Sequence, residues 1–287
     1  MEANSLASRP VVGLPLLRKL LLLTLLLLCL IVTLYYGLPR WMGVDWVGAY
    51  RPAALAMLSG QSPYDYPVYN APWALLPFVP LALLPPHLGY VGAFILNAIG
   101  LGYIAWKLSG KRMVVLLFLT SYPAVGGLVV GGLDWLPMLS FVLPAPIGLI
   151  FAAMKPQIGL GISLYWLVES WRTGSWRGVL RTFLPVALLL TASFLLYGPW
   201  LTQFPNLIRA SWNASLFPYE LPIGLYLLWA ALSQRRARPA MACSPFLSPY
   251  HTLWGLQPAL VGLLEHPKLL AIASACLWSY VIVGVFA

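Results

Sequence analysis

The sequence predicts an all-α, polytopic integral membrane protein with about nine or ten transmembrane or half-membrane helices. Only 8% of the 287 residues are charged, whereas a soluble globular domain carries about 25%. Hydrophobic residues make up 61% of the chain, and the mean hydropathy is +0.83. The 17 basic and 7 acidic residues give a net charge of +10. Most basic residues stand in short clusters between apolar segments, which is typical of membrane edges and argues against a nucleic-acid partner.

Four basic clusters predict the orientation of the helices. They are Arg9/Arg18/Lys19, Lys107/Lys111/Arg112, Arg172/Arg177/Arg181 and Arg235/Arg236/Arg238. Because basic loops favour the cytoplasm, the N-terminus should be cytoplasmic and an even number of crossings should separate successive clusters. The expected helical segments are residues 20–37, 88–106, 113–125, 127–143, 147–155, 156–171, 182–199, 222–234, 246–264 and 269–286. Several, notably 147–155, are too short to span and are expected to be half-helices buried in protein.

Two long loops are expected on the extracytoplasmic side of a single transmembrane domain that covers residues 1–287. The first covers residues 38–86 and contains an expected interfacial helix from Trp46 to Leu58. Residues 71–86 carry five prolines, which prevent a continuous helix and predict a re-entrant or interfacial segment. The second loop covers residues 200–221. Five basic residues fall on this outer side: Arg40, Arg51, Lys155, Arg209 and Lys268.

Acidic residues are few enough to be weighed one by one. Asp45 follows the first apolar segment among apolar and aromatic neighbours, so its carboxylate should be partly desolvated and a stronger base. The alternative is an aspartate that caps the helix starting near Trp46. Asp134 stands at the outer edge of an apolar segment, where an acid is either functional or a helix cap. Asp65 lies in a proline-flanked stretch typical of a turn.

Lys155 is the most unusual basic residue because it ends one short apolar segment and precedes Pro156, which opens the next. A lysine at such a junction predicts an anion site. The alternative is a lysine that extends to the membrane edge and is favoured by the helix dipole. Arg51 and Arg209 are expected either to join Lys155 as phosphate ligands or to meet lipid headgroups. No spacing of histidine, cysteine and acidic residues predicts a metal site.

A set of residues stands in a recognisable order: Asp45, Tyr50, Ala53, Ala54, Gly60, Pro63-Tyr64, Tyr69, Pro72 and the run from Pro80 to Pro85. This set resembles the N-terminal signature of glycosyltransferase family 87, multi-spanning enzymes of the GT-C type that use a polyprenyl-phosphate sugar, usually mannose. The stretch from Gly148 to Gln157 resembles the family's glycine-rich helix ending in Lys-Pro. Residues 244–250 are similar to its C-terminal Ser-Pro…Tyr stretch. The resemblance covers residues 40–170 well and the rest loosely.

The resemblance implies a GT-C-like fold in the cell membrane and an inverting sugar transfer on the extracytoplasmic side. Asp45 would be the general base, and Lys155, with Arg209 and Arg51, would bind the donor phosphate. Asp134, Tyr50 and Tyr64 are the candidates for a second acid or for acceptor binding. The partners would be membrane lipid and the polyprenyl-phosphate sugar, which is a substrate, so that no cofactor and no metal is expected.

Two departures keep an alternative open. The chain has Gly131-Gly132-Leu133-Asp134 where the family shows Gly-Gln-x-Asn, and it is shorter than the family's usual length in the part after Arg238. The alternative is a non-catalytic membrane subunit that binds other membrane proteins. A small transporter is the last alternative, since it would need polar residues near the bilayer midplane and Asn97 is the clearest one.

Overall fold

The computed structural model describes residues 14–203 and 205–286, and that part of the chain contains helices and no strand. It divides into two compact units, one ending at Arg40 and the other beginning at Trp41. The first unit contains helix α1, Leu14–Gly37, whose leucine side chains from Leu20 to Leu30 are exposed. The second unit contains the remaining helices and the cavities. The all-α prediction is confirmed.

The second unit combines long helices with short helical pieces. Its α-helices are α2 Arg51–Leu58, α3 Val79–Ala82, α4 Pro86–Ser109, α5 Arg112–Leu119, α6 Tyr122–Val130, α7 Trp135–Met138, α8 Ala145–Ala152, α9 Pro156–Tyr197, α10 Pro205–Ile208, α11 Leu221–Gln234, α12 Ala237–Leu247, α13 Gln257–Val261 and α14 Pro267–Phe286. One π-helical turn, Trp46–Tyr50, precedes α2. The 3-10 turns are Pro63–Asp65, Pro72–Phe78, Leu139–Phe141, Trp200–Gln203 and Trp254–Leu256.

Four helices in the described ranges are long and apolar enough to cross a membrane, or five if α5 and α6 form one span bent by 57°. The four are Arg18–Gly37, Pro86–Ser109, Pro156–Tyr197 and Pro267–Gly284. This number counts long helices only, whereas the nine or ten predicted helices included half-membrane ones. The other apolar segments form shorter helices because prolines and glycines interrupt them.

The 42-residue segment α9 is a helical hairpin rather than a straight rod. Ser175 has non-helical dihedral angles, φ 49° and ψ −145°. The Ser170 hydroxyl donates to the Thr182 hydroxyl at 2.9 Å, although a continuous helix would separate these residues by roughly 18 Å along its axis. The chain therefore reverses at Ser175, between the predicted segments 156–171 and 182–199.

Three basic clusters lie at one end of the second unit, which we call the Arg238 end. Arg238 Nη2 donates to the Leu108 carbonyl at 2.7 Å, and Arg172 Nη1 donates to the Leu232 carbonyl at 2.8 Å. These bonds join the ends of α4, of the first half of α9 and of α11. Their common placement agrees with the charge pattern, while the side of the membrane on which this end lies stays a prediction.

The turn before α14 also lies at the Arg238 end, so the expected placement of Lys268 with the outer residues was wrong. Arg238 Nη1 is 3.1 Å from a Glu265 carboxylate oxygen. The predicted single segment 246–264 is instead divided: α12 leads away from the Arg238 end and α13 leads back to it. Prolines at the end of α12 and the start of α13 prevent one continuous helix.

The predicted segment 127–143 does not form one helix either. Gly131 ends α6 in the left-handed region, at φ +75°, and α7 has only four residues. Helix α8 has eight residues, roughly 12 Å, which confirms that it is too short to span. The segment 131–154 leaves one end of the unit and returns to that end. The first long loop lies at both of its ends: the Gly43 N–H donates to the Val129 carbonyl, and Asn70 Nδ2 donates to the Met154 carbonyl.

The proline-rich segment 71–86 packs against protein rather than forming a continuous helix, as its prolines predicted. Trp73, Leu75 and Phe78 are buried, and Trp73 Nε1 donates to the Ile150 carbonyl at 2.9 Å. The helix expected from residue 46 to residue 58 forms as a π-helical turn followed by α2. Its Trp46 is fully buried and donates to the Pro86 carbonyl at 2.9 Å.

Small residues let the helices behind the site approach closely. A Cβ at Gly161 would lie 2.3 Å from the Ala240 carbonyl oxygen and 2.3 Å from Cys243 Sγ. A Cβ at Gly159 would lie 2.2 Å from the Ala152 carbonyl oxygen. Backbone contacts of this kind fix α8 and α12 against the start of α9, which carries one side of the site.

Candidate active site

The loops at the end opposite Arg238 enclose a cavity of about 360 Å³, which we call the Asp45 cavity. Both predicted long loops contribute to it, together with the start of α9 and the stretch before α13. Three of the residues singled out from the sequence, Asp45, Tyr50 and Lys155, line this cavity. Residues distant in sequence therefore meet in one concave, partly polar space, as ligand sites do.

Asp45 presents a carboxylate without a bonding partner in the described chain. It occupies the N-cap position of the turn Trp46–Tyr50, yet its side chain makes no capping hydrogen bond. Burial raises the pKa of Asp45 from 3.8 to about 6; Lys155 lowers it and Asp134 raises it further. The carboxylate is thus ionised at neutral pH and more basic than an exposed aspartate. The structure therefore does not support the capping alternative.

Lys155 supplies the cation of the cavity and forms an ion pair with Asp134. It lies between the end of α8 and Pro156, and 13% of its side chain is exposed, against 1% for Asp134. Burial disfavours the charged lysine, but the Asp134 carboxylate outweighs burial and raises the pKa of Lys155. The lysine is therefore a partly buried cation paired with a carboxylate rather than an exposed edge residue.

Asp134 has a different place from the one the sequence suggested. It stands at the N-cap of α7 but makes no capping hydrogen bond, and one of its oxygens bonds Lys155. The other oxygen, Oδ2, is buried without a hydrogen-bond partner in the described chain. Asp134 therefore lies behind Lys155 and holds the lysine rather than lining the Asp45 cavity.

The surroundings of Lys155 suit an anion. An ammonium group has three donors, and the Asp134 side chain uses one of them in the described chain. Gln157, the second residue of α9, also lines the cavity and makes no side-chain hydrogen bond to a described residue. The N-terminus of α9 carries the partial positive charge of a helix start. Together these donors can receive phosphate oxygens opposite the Asp45 carboxylate.

Besides Asp134, three more of the predicted site residues do not line the cavity. Arg51 is turned toward the end of α3, where its Nη2 donates to the Leu84 carbonyl at 3.3 Å. Arg209 is exposed on the second loop. Tyr64 stacks on Trp200 with ring centroids 5.6 Å apart, and its hydroxyl donates to the Asn70 carbonyl at 2.9 Å. Tyr64 thus supports the cavity from behind.

Sequence reasoning missed several residues of the wall. Asn70 donates from Nδ2 to the Met154 carbonyl at 3.3 Å, and Trp254 lines the cavity from the C-terminal side. Trp212 Nε1 donates to the Tyr250 hydroxyl at 3.1 Å. Burial raises the pKa of Tyr250, against the opposing effect of Lys155, so the phenol is neutral. Trp212 lies in the aromatic-rich second loop and Tyr250 ends the stretch 244–250 that resembles the family, whereas no sequence pattern singled out Asn70 or Trp254.

A buried polar network holds the second loop over the cavity. The Ser215 hydroxyl donates to Glu220 Oε1 at 2.5 Å, and His251 Nε2 lies 3.3 Å from Glu220 Oε2. His251 Nδ1 lies 3.2 Å from the Thr252 carbonyl oxygen, so each ring nitrogen faces an oxygen atom. Asn213 Nδ2 donates to the Pro249 carbonyl at 3.1 Å. The network joins the loop that carries Trp212 to the segment that carries Tyr250.

Neither metal ligands nor known relatives identify the chemistry of this cavity. Across the described ranges, histidine, cysteine and acidic side chains form no group of three that could hold a metal ion. Comparison with models of protein families, with curated proteins and with solved structures finds no match in any of the three.

Proposed function

We propose that the protein is a membrane glycosyltransferase of GT-C-like fold, a member of glycosyltransferase family 87. It would move a hexose, mannose in most enzymes of the family it resembles, from a polyprenyl-phosphate donor to an acceptor hydroxyl. One observation carries the proposal: the Asp45 carboxylate, which has no bonding partner among the described residues, and the partly buried Lys155 ammonium line a single cavity. The reaction would take place on the extracytoplasmic side of the cell membrane.

The two charged groups suit the two halves of this reaction. Asp45 takes the proton of the acceptor hydroxyl as the acceptor oxygen bonds to the sugar's anomeric carbon. The bond between that carbon and the phosphate oxygen breaks, and its electron pair leaves with the polyprenyl phosphate. Because attack comes from the face opposite the leaving group, the configuration inverts. Lys155 and the α9 N-terminus stabilise the charge that develops on the phosphate.

The walls of the cavity suit a sugar carried by a lipid. Its volume of about 360 Å³ falls in the range of small-molecule sites, roughly 300–1,000 Å³. Trp212, Trp254 and Tyr69 offer flat aromatic faces, while Asn70 and Gln157 offer polar groups for hydroxyls. At the rim Val44 is 58% exposed and Trp212 55%, so the mouth is apolar. An apolar mouth favours a donor that arrives from the membrane.

The test compares two aspartates of the same loop. Asp45→Asn should abolish the transfer of labelled mannose in membranes supplied with polyprenyl-phosphate mannose. Asp65→Asn, at an exposed residue outside the cavity, should leave transfer unchanged. Both variants must be present at wild-type level in the membrane. Full transfer by Asp45→Asn would exclude Asp45 as the base.

The competing proposal is a non-catalytic subunit bound to other membrane proteins. It is favoured by the tip of the second loop, where Leu216 is 68% exposed and Tyr219 86%. Such a subunit should co-purify in fixed stoichiometry with a larger partner, and Asp45→Asn should not affect that assembly's function. Transport has less support, because the Asn97 amide is buried and donates to the Gly127 and Gly132 carbonyls at 3.3 and 3.1 Å.

A further inference from the structure

A second cavity, which we call the Arg238 groove, opens at the opposite end of the unit. Its volume is about 620 Å³, and it lies between α11, α12, α13 and α14. The proposed sugar transfer makes no use of it, and none of its lining residues lines the Asp45 cavity. Its chemistry changes along its length, from charged at one end to apolar at the other.

The charged end carries more positive than negative groups. Arg236, Arg238 and His266 line it together with one acid, Glu265. Arg238 is held in place by its bonds to α4 and Glu265. Arg236 is exposed, and its guanidinium makes no hydrogen bond or ion pair to a described residue. One fixed and one uncommitted guanidinium thus face the mouth of the groove.

The remaining wall is apolar and follows the helix axes. Leu227 of α11, Phe246 of α12 and Leu277 of α14 line it away from the charged end. Leu277 lies ten residues beyond Pro267, roughly 15 Å along α14. One leaflet of a bilayer's hydrocarbon core is about 15 Å thick, half of about 30 Å. The apolar part of the groove therefore has the length of a single acyl chain in one leaflet.

We propose that the Arg238 groove binds an anionic phospholipid. Its phosphate would lie between Arg236 and Arg238, and one acyl chain would follow α14 into the groove. Basic pockets between membrane helices recognise anionic headgroups in this way. The positive mouth favours an anionic over a zwitterionic headgroup. A second protein chain is the weaker occupant because the cavity lies between four helices of this chain rather than on an outer helix face.

Native mass spectrometry of the detergent-solubilised protein tests this proposal. Phosphatidylglycerol and phosphatidylcholine with identical acyl chains are added separately, and the lipid retained per protein is counted. We expect phosphatidylglycerol to be retained at least fivefold more strongly. Arg236→Gln should reduce its retention about fivefold, the usual contribution of one basic residue near an anionic headgroup. Lys268→Gln, an exposed residue outside the groove, should have no effect.

A second pair of variants tests the acyl-chain path. Cys276 lines the groove and is exposed, so Cys276→Trp should block the retention of both lipids. The neighbouring Ala275 is exposed but does not line the groove, so Ala275→Trp should retain lipid normally. Equal retention of the two lipids, an equal effect of the two charge variants, or a dimer that excludes lipid would each overturn the proposal. Sugar transfer is not measured, so failure here leaves the proposed function untouched.

Discussion

Replacement of the proposed base should stabilise the protein. Asp45→Asn keeps the size of the side chain and removes a carboxylate whose pKa the fold raises from 3.8 to about 6. Each tenfold change in proton affinity corresponds to about 1.4 kcal/mol, so the ionised carboxylate costs the folded state roughly 3 kcal/mol. The asparagine variant avoids this cost. Replacement of a residue that serves packing would have the opposite effect, because it would lower the free energy of unfolding.

The gain in stability should depend on pH in a defined window. Between about pH 4 and pH 6 the folded wild type binds a proton at Asp45 that the unfolded chain has lost. The free energy of unfolding of the wild type therefore falls as pH rises through this window and is lowest, for this group, above about pH 6. The advantage of Asp45→Asn should be absent near pH 4 and constant above about pH 6.5.

Thermal unfolding in a mild neutral detergent between pH 4 and pH 8 measures this difference, with Asp65→Asn as the control. Asp45→Ala distinguishes a helix cap from a desolvated charge. Loss of a cap would lower the free energy of unfolding by about 1 kcal/mol, whereas loss of a desolvated charge would raise it. Destabilisation by both Asp45 variants, or a difference that does not vary with pH, would refute the reasoning. The transfer rate of the wild type should fall about tenfold per pH unit below pH 6.

Three further changes probe the supports of the site. Lys155→Gln leaves Asp134 buried and unpaired and should lower the free energy of unfolding by roughly 3–5 kcal/mol. The double variant with Asp134→Asn should recover most of that stability but not the sugar transfer. A double variant as unstable as Lys155→Gln would argue against the ion pair. Glu220→Ala leaves the buried His251 without its carboxylate partner and should speed trypsin cleavage of the second loop by roughly a hundredfold. An unchanged cleavage rate would show that the network does not hold the loop. Gly161→Ala inserts a methyl group against the α12 backbone and should lower the free energy of unfolding by about 1–3 kcal/mol. Gly174→Ala is the control, because a Cβ there meets no other atom and the loss of stability should be small. Equal losses of stability in the two variants would contradict the close packing.

The placement of charged residues at one or the other end of the helices could be predicted because the chain has so few of them. Four basic clusters were expected on one side, and the bonds of Arg172 and Arg238 bring the last three of them together. Asp45 and Lys155 were expected on the opposite side and line one cavity. In an apolar chain each charge strongly restricts which end of a helix can meet water, so a handful of positions carries most of the topology.

The short segments could not be predicted in the same way. Residues 246–264 have the length and hydropathy of a span, yet they form part of α12, a loop and α13, and Lys268 changes ends as a result. Hydropathy along the chain does not distinguish a lipid-facing span from a half-helix buried in protein.

The missed wall residues depend on long-range contacts. Tyr250 reaches the cavity only because Asn213 and Glu220 tie its segment to the second loop. Arg51 was expected near phosphate but bonds the end of α3 instead. Pairings between distant loops leave no periodic signal in a single sequence, so the positions of these residues could not be read from it.

Photocrosslinking with a polyprenyl-phosphate mannose analogue that carries a diazirine on its sugar is the most direct test of the shared cavity. The account predicts labelled peptides from residues 44–50, 155–157 and 250–254, competed by unlabelled donor and weakened in the Lys155→Gln/Asp134→Asn double variant. Labels confined to the Arg238 groove or scattered over the helices, with no competition, would contradict a sugar-donor site built around Asp45 and Lys155.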